Sequence, residues 1–344
     1  RSTPLYSSAA SDVYKRQYEQ LGVKTIINVA GTSTRVGGAL MPPEVVTAMS
    51  EASKASASMT DLQAAASRFI ANITGAEAGY VTSGASASLT LGAAAILAKL
   101  DPGLMERLPD TSGMKNEFIV SREHRNGYDH SIRVAGGKFV EVGMNEQVSG
   151  AGVRRTEVWE FEAAINDNTV GIAYTATSTS EPKLPDVVKL ARKYNLPVLV
   201  DAAGQLPPVS NLTEFIKMGA DLVAFSGGKA IRGPQSSGIL CGSRDYIASV
   251  ALQHLDMDEY FSIWDPPEDF IPKQKIIGIP RHGLGRGFKV SKEEIIGLIT
   301  ALNLFSSGKY GADYEQQRRY LEYIADGLSG LPVQPRVIIP AGDS

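Results

Sequence analysis

From Tyr18 onward, short apolar runs alternate with amphipathic stretches along the chain. AGYVTS, FIVS, KFVEV, VGIAYTA, LPVLVD, DLVAFS and GILCG are each too short for a helix and rich in β-branched or aromatic residues, which predicts strands. LPDVVKLARKYN and NLTEFIKMG, lying between such runs, predict helices. Residues 42–56 open on prolines suited to a first helical turn and continue with apolar i, i+3, i+4 spacing. Residues 61–72 predict a second helix with Asp61 as its N-cap, and residues 84–100 a long Ala-rich one. Two more amphipathic helices are expected over 291–306 and 312–328, after a loop at 264–287 rich in Pro, Gly and basic residues. Strands alternating with helices imply right-handed βαβ units. The predicted class is α/β, a mostly parallel sheet covered by helices on both faces.

Length and ends refine this picture. The chain has 344 residues, enough for about two domains. Residues 1–17 have no periodicity and no signal-peptide pattern. Asp12 to Gln17 read like the translation of a transposase adaptor used in sequencing libraries, so this segment is taken as non-native. An N-terminal segment is then expected over 18–55, a large domain over 56–255 and a smaller α+β domain over 256–344. The last domain stops at LPVQPRVIIPAGDS, which begins like a strand, and the natural protein is expected to continue.

Composition narrows the function classes. Apolar residues make up 43% and charged residues 21%, enough to build a packed core. Thirty-four Lys and Arg against 37 Asp and Glu give a net charge of -3, which argues against a dominant nucleic-acid footprint. A single cysteine, Cys241, excludes an internal disulfide framework and a cysteine-clustered zinc site; its mid-strand position reads as packing. Four histidines leave little for a metal centre, and no metal is expected. No run approaches 18 apolar residues, so no membrane span is expected and a reducing, cytoplasmic setting is the default.

Three β–α turns carry candidate chemistry. In SGGKAIRGPQSSGIL, Lys229 follows the strand DLVAFS and is flanked by small residues. At the end of a parallel strand it points to the crevice where α/β sheets bind ligands, and a dry pocket would prepare its amine for Schiff-base chemistry. The bland alternative is a surface-loop lysine. Asp201 ends the strand LPVLVD, 28 residues earlier, where it could pair with a protonated ring nitrogen or simply form a turn. Ser83, Gly84, Ala85 and Ser86 open a helix after AGYVT, where free N–H groups and the helix dipole favour a phosphate. The sequence there lacks the pattern of a nucleotide P-loop.

Together, in this order, the three turns resemble a fold-type I pyridoxal 5′-phosphate enzyme of the aspartate aminotransferase superfamily. The resemblance implies that Lys229 forms the cofactor Schiff base, Asp201 keeps the pyridine nitrogen protonated, and Ser83 to Ser86 hold the phosphate together with Ser226. INVAGTSTRVGGALMPPEVVTAM, SREHRNGYDHSIRVAGGKFVEVG, SGGKAIRGPQSSG and GRGFKVSKEEIIGLITAL are similar, more narrowly, to the selenocysteine synthase (L-seryl-tRNA(Sec) selenium transferase) branch. Within it they look most like the D-glucosaminate-6-phosphate ammonia-lyases. The similarity spans about residues 18–328. Selenocysteine synthase usually carries an extra N-terminal domain that helps hold tRNA. No counterpart is seen in this sequence, which, with the charge, favours a small-molecule substrate.

The resemblance also implies secondary roles. His124 would stack on the cofactor ring, as a third catalytic residue beside Lys229 and Asp201, whereas His130 reads as structural or peripheral. Gln205 would reach the cofactor's phenolic oxygen, or serve its turn. Arg35 would receive an anionic substrate group, across the interface of a homodimer or higher oligomer. Arg281, His282, Arg286 and Lys289 would meet a substrate phosphate, or form a solvated basic loop. The expected reaction is an α,β-elimination turning a 2-amino-3-hydroxy sugar acid into a 2-keto-3-deoxy acid and ammonia. Its rivals are a selenium transferase acting on seryl-tRNA(Sec) and a cofactor-binding protein without turnover.

Overall fold

The computed structural model describes residues 17–144 and 154–338; the adaptor-like segment therefore lies, but for Gln17, outside the described residues. Among the described residues seven strands form one sheet: β1 (Ala78–Thr82), β2 (Glu117–Ser121), β3 (Lys138–Val142), β4 (Thr169–Thr175), β5 (Val198–Asp201), β6 (Leu222–Ser226) and β7 (Gly238–Gly242). Their order is β1-β7-β6-β5-β4-β2-β3. All neighbours pair in parallel except β7, which runs antiparallel to both β1 and β6. Two reversals leave β1 parallel to β6, so six strands end at the same edge.

The main helices are α1 (Pro43–Ala52), α2 (Met59–Thr74), α3 (Ala85–Ala98), α4 (Leu184–Lys193), α5 (Asn211–Lys217), α6 (Arg244–His254), α7 (Lys292–Ser306) and α8 (Gly311–Gly327). The N-cap of α2 is Ser58, whose hydroxyl accepts from the Asp61 N–H at 3.2 Å. Asp61 is thus a first-turn acid rather than the cap; the two residues trade places because the helix begins two residues earlier than its apolar pattern. Among the described residues, the tail after α8 contains no strand through Ile338, in contrast to the expectation.

Continuous apolar runs are explained by two cores, one on each face. Alternate residues of each strand divide between them: Val198, Val200, Val223, Phe225, Ile239 and Cys241 pack on one side. Leu199, Leu222, Ala224 and Leu240 pack on the other. Cys241 is buried, which pushes its thiol up to about 12 and leaves it an inert packing residue. The first core takes α4 and α7, whose Ile295, Leu298 and Ala301 are fully buried. The second takes α3, which is buried continuously from Ser88 to Ala98. Its apolar surface runs all round the helix, as lying across the sheet and under α6 requires.

Candidate active site

Every strand-end residue singled out from the sequence lies on the shared C-terminal edge of the parallel strands, where open α/β sheets place their ligands. Asp201 closes β5, and Thr175 lies opposite it in register on β4. Ser226 closes β6 and is paired with Gly238 of β7, which on its other side pairs with Thr82 of β1. Gly238 thus brings Ser226 and the Ser83–Ser86 turn to either side of one residue. A Cβ there would lie 2.4 Å from the Gly84 carbonyl carbon and 2.7 Å from the Ala85 nitrogen, so only glycine permits this approach.

The turn itself is built to receive an anion. Gly84 precedes α3 with φ 108 and ψ 162, a backbone conformation for glycine, and a Cβ on it would point into open space. Among the described residues no side chain caps the helix, so its first N–H groups are available to a ligand. Hydroxyls brace the turn from behind: Thr82 donates to the Gly84 carbonyl at 3.0 Å, and Ser86 meets Ser131 at 2.6 Å. Ser83 donates to the Phe288 carbonyl at 2.7 Å.

Lys229 enters from the loop after β6. Gly227 and Gly228 are required there by contact, since a Cβ on them would lie 2.2 Å from the Ser237 hydroxyl and 2.6 Å from Gln235. A Cβ on Gly204 would sit 4.0 Å from the Lys229 Nζ, which places the amine beside the turn that follows Asp201. The Lys229 amine makes neither a hydrogen bond nor an ion pair among the described residues. Asp201 accepts the Ala203 N–H at 3.0 Å through Oδ1, leaving Oδ2 without a partner among the described residues. Burial pushes its carboxyl above the usual range, the Asp129 charge adds to this, and the Ala203 N–H and Lys229 oppose it. A ring N–H cation at Oδ2 would reverse that penalty.

His124 follows β2 in a short turn and is buried at 3% exposure. Among the described residues neither ring nitrogen has a hydrogen bond of normal geometry, although the Glu181 backbone lies close by. Burial pushes its pKa down to about 4, against Glu123, so the ring is neutral. Its edge meets Tyr174 at 4.5 Å between centroids, 75° apart. Thr175 holds the His124 carbonyl at 3.0 Å, and Asn126 bonds both at 3.3 Å. Thr175, Asn126 and Ser131 are the residues that motif reading missed; the strand-end position of Thr175 was the available sign.

The remaining candidates divide. Gln205 sits half-buried at the turn after Asp201, with its carbonyl held by Asn211 at 2.6 Å. Arg35 is exposed, in a turn that the same chain's lysine loop anchors: Gln235 donates to Thr34 at 3.1 Å and Ala39 to the Gly228 carbonyl at 3.2 Å. Arg286 is paired with Asp256 at 2.6 Å, two residues before the Phe288 carbonyl that meets Ser83. Arg281, His282 and Lys289 are exposed, and the Arg281 N–H goes to Glu106 at 2.9 Å. His130 is exposed at the start of a short helix. An open cleft of about 860 Å³ lies elsewhere, near the starts of β2 and β3, between Lys115, Arg133 and Lys138. It contains none of these strand-end groups.

The family model described as "SelA: L-seryl-tRNA selenium transferase" matches residues 26–257, a span that holds all the strand-end groups. The chain belongs to this family. D-glucosaminate-6-phosphate ammonia lyase of Salmonella typhimurium is 30% identical over 322 residues, covering 91% of this chain and 75% of the relative. A 5′-C-glycyluridine monooxygenase-decarboxylase of Streptomyces is 29% identical over 312 residues, covering 88% and 67%. Among solved structures, a D-glucosaminate-6-phosphate ammonia-lyase matches with a TM-score of 0.71 and 28% identity over 91% of this chain and 75% of its own. A Thermus thermophilus aspartate aminotransferase mutant, 18% identical with a TM-score of 0.52 over 96% and 79%, shows the fold alone. The family and its fold are those of pyridoxal 5′-phosphate enzymes, and the cofactor is pyridoxal 5′-phosphate. The open cradle at Gly84, the unengaged Lys229 and Asp201 Oδ2, and the orphaned nitrogens of buried His124 all fit that group. Among the described residues no helix is long and apolar enough to cross a membrane.

Proposed function

We propose that the protein is an ammonia-lyase that converts a 2-amino-3-hydroxy sugar acid to a 2-keto-3-deoxy acid. The observation that carries this is the free Lys229 amine standing beside the turn of an Asp201 whose second oxygen has no partner. Pyridoxal 5′-phosphate, when bound, supplies a sink for the electrons left at Cα. Lys229 would hold the cofactor at rest, and its freed amine would take the proton from the substrate Cα. Asp201 would keep a positive charge on the ring nitrogen, and neutral His124 would cover the ring and exclude water. Loss of the C3 hydroxyl with one proton releases water and leaves a C2–C3 double bond bearing nitrogen. Tautomerisation and hydrolysis then consume one water and release ammonia, so the net products are the keto acid and ammonia.

The ammonia-lyase relative, matched at 30% identity, supports the substrate class. The Arg281–Lys289 loop, whose Phe288 touches the turn, supports a phosphorylated substrate met by Arg281, His282 or Arg286, with Arg35 near the lysine loop for the carboxylate. Incubation with phosphorylated and free amino sugar acids should yield ammonia and a 2-keto acid in equal amounts from at least one of them. Release of neither from any member of the panel would end the proposal. The description of the matched family favours a second activity, elimination from seryl-tRNA followed by selenium addition. A mobility shift with seryl-tRNA, together with no keto acid from the amino sugar acids, would decide for it.

A further inference from the structure

The last residue of α6, His254, is 3% exposed and belongs to no part of the chemistry above. Its Nε2 lies 3.1 Å from the Phe288 carbonyl, and its Nδ1 lies 2.9 Å from the Tyr80 hydroxyl. A carbonyl can only accept, so Nε2 carries the hydrogen and Nδ1 presents its lone pair to the Tyr80 O–H. Tyr80 is fully buried on β1, and its ring meets the imidazole edge-on at 5.4 Å and 87°. The same Phe288 carbonyl accepts the Ser83 hydroxyl at 2.7 Å. Two donors, one from α6 and one from the phosphate turn, therefore converge on one oxygen.

Two consequences follow from this geometry. The single hydroxyl proton of Ser83 is committed to Phe288, so the phosphate must be met by the N–H groups of Ala85 and Ser86 and by other hydroxyls. The position of Ser83 then depends on where the Phe288 carbonyl is held. Glycines let that segment lie flush on α6: a Cβ on Gly283 would be 2.4 Å from the Gln253 Cα, and one on Gly285 3.1 Å from the His254 Cα. Arg286, the charged group that faces the imidazole, is held by Asp256 at 2.6 Å.

We infer that His254 is a positioning residue for the cofactor phosphate, acting by holding the Phe288 carbonyl as the acceptor that fixes Ser83. This rests on Ser83–Ser86 being the phosphate turn and on nothing about the substrate. The test compares pyridoxal 5′-phosphate with pyridoxal, which lacks the phosphate, by titrating the apoprotein. The wild-type protein should prefer the phosphorylated form. His254→Asn, whose amide cannot reach Phe288, should weaken that form about 10-fold and leave pyridoxal unchanged. His254→Gln, whose amide nitrogen falls near the Nε2 position, should keep the preference. Ser83→Ala should lose about as much, and the double variant with His254→Asn no more than either alone. Equal weakening of both ligands, no weakening, or additive losses would overturn the inference. Should His254→Asn not fold, Ser83→Ala and His254→Gln still decide: an unchanged preference in the first or a lost one in the second overturns it. A wild-type protein without any preference would instead overturn the assignment of the turn, and the inference with it.

Discussion

Asp201 ends β5 and Lys229 lies in the loop after the neighbouring β6, and each keeps one reactive group without a partner among the described residues. Reduction of the holoprotein with borohydride should fix the cofactor on the peptide containing Lys229, and Lys229→Ala should lose the Schiff-base absorbance. A label on another lysine would refute the assignment. Asp201→Asn removes the charge that sustains the ring cation; kcat should fall on the order of 10²–10⁴-fold while the cofactor still binds. The two buried histidines set an acid limit. Both have folded-state pKa values of about 4 against an ordinary 6.5, so the unfolded chain binds protons first as pH falls. Their stabilisation is present above pH 6.5 and is lost from there down to about pH 4, by a few kcal/mol in all. Urea midpoints across that range should fall with pH, and His254→Gln should flatten the fall. The placement of Lys229 and Asp201 at one edge of the sheet was legible because each comes at the end of an apolar run and sits among small residues. Asn126 and Ser131 were not, because a lone polar residue in a turn or a one-turn helix has no period to betray what it braces.

At the scale of elements, β7 is the piece that the sequence left open. GILCG reads like any other buried strand, and nothing in its pattern says that it runs backwards. The loop carrying Lys229 is what reverses it: Gly227 N–H donates to the Ser237 carbonyl at 2.9 Å, closing β6 onto β7. Helix α6 was also hidden, since buried residues from Ile247 to His254 cover it too fully to leave an amphipathic stripe. Gly238→Ala tests how far the phosphate turn depends on β7. Its methyl would meet backbone, not a yielding side chain, so Gly84 and Ala85 must shift. Overpacking of this kind costs about 1–3 kcal/mol. Affinity for pyridoxal 5′-phosphate should fall more than affinity for pyridoxal, and thermal melting with and without cofactor should show the ligand-induced shift shrink. An undiminished shift would mean that the turn does not need this approach.

At the scale of the whole molecule, the N-terminal stretch leaves Ile26, Ile27, Val29 and Leu40 at 69–90% exposure, next to the anchored Arg35 turn. We propose that a second copy covers it, giving a homodimer with isologous contacts. Light scattering should report at least twice the chain mass, and Ile27→Glu with Val29→Glu should shift it toward one chain. A fully active species at the mass of one chain would refute the dimer.

The position of β1 at the sheet edge also constrains when the site can exist. Among the described residues its one bridged neighbour is β7, so Ala78–Thr82 must wait for Gly238–Gly242, roughly 160 residues later, before it joins the sheet. A ribosome delivers the phosphate turn early and the strand that seats it late. During synthesis, then, the turn is a loose end for most of the time that β2 to β6 are being laid down beside one another. Pairings of such separation are slow to form. Cofactor capture is therefore expected among the last steps of biogenesis, after nearly all of the sheet is in place.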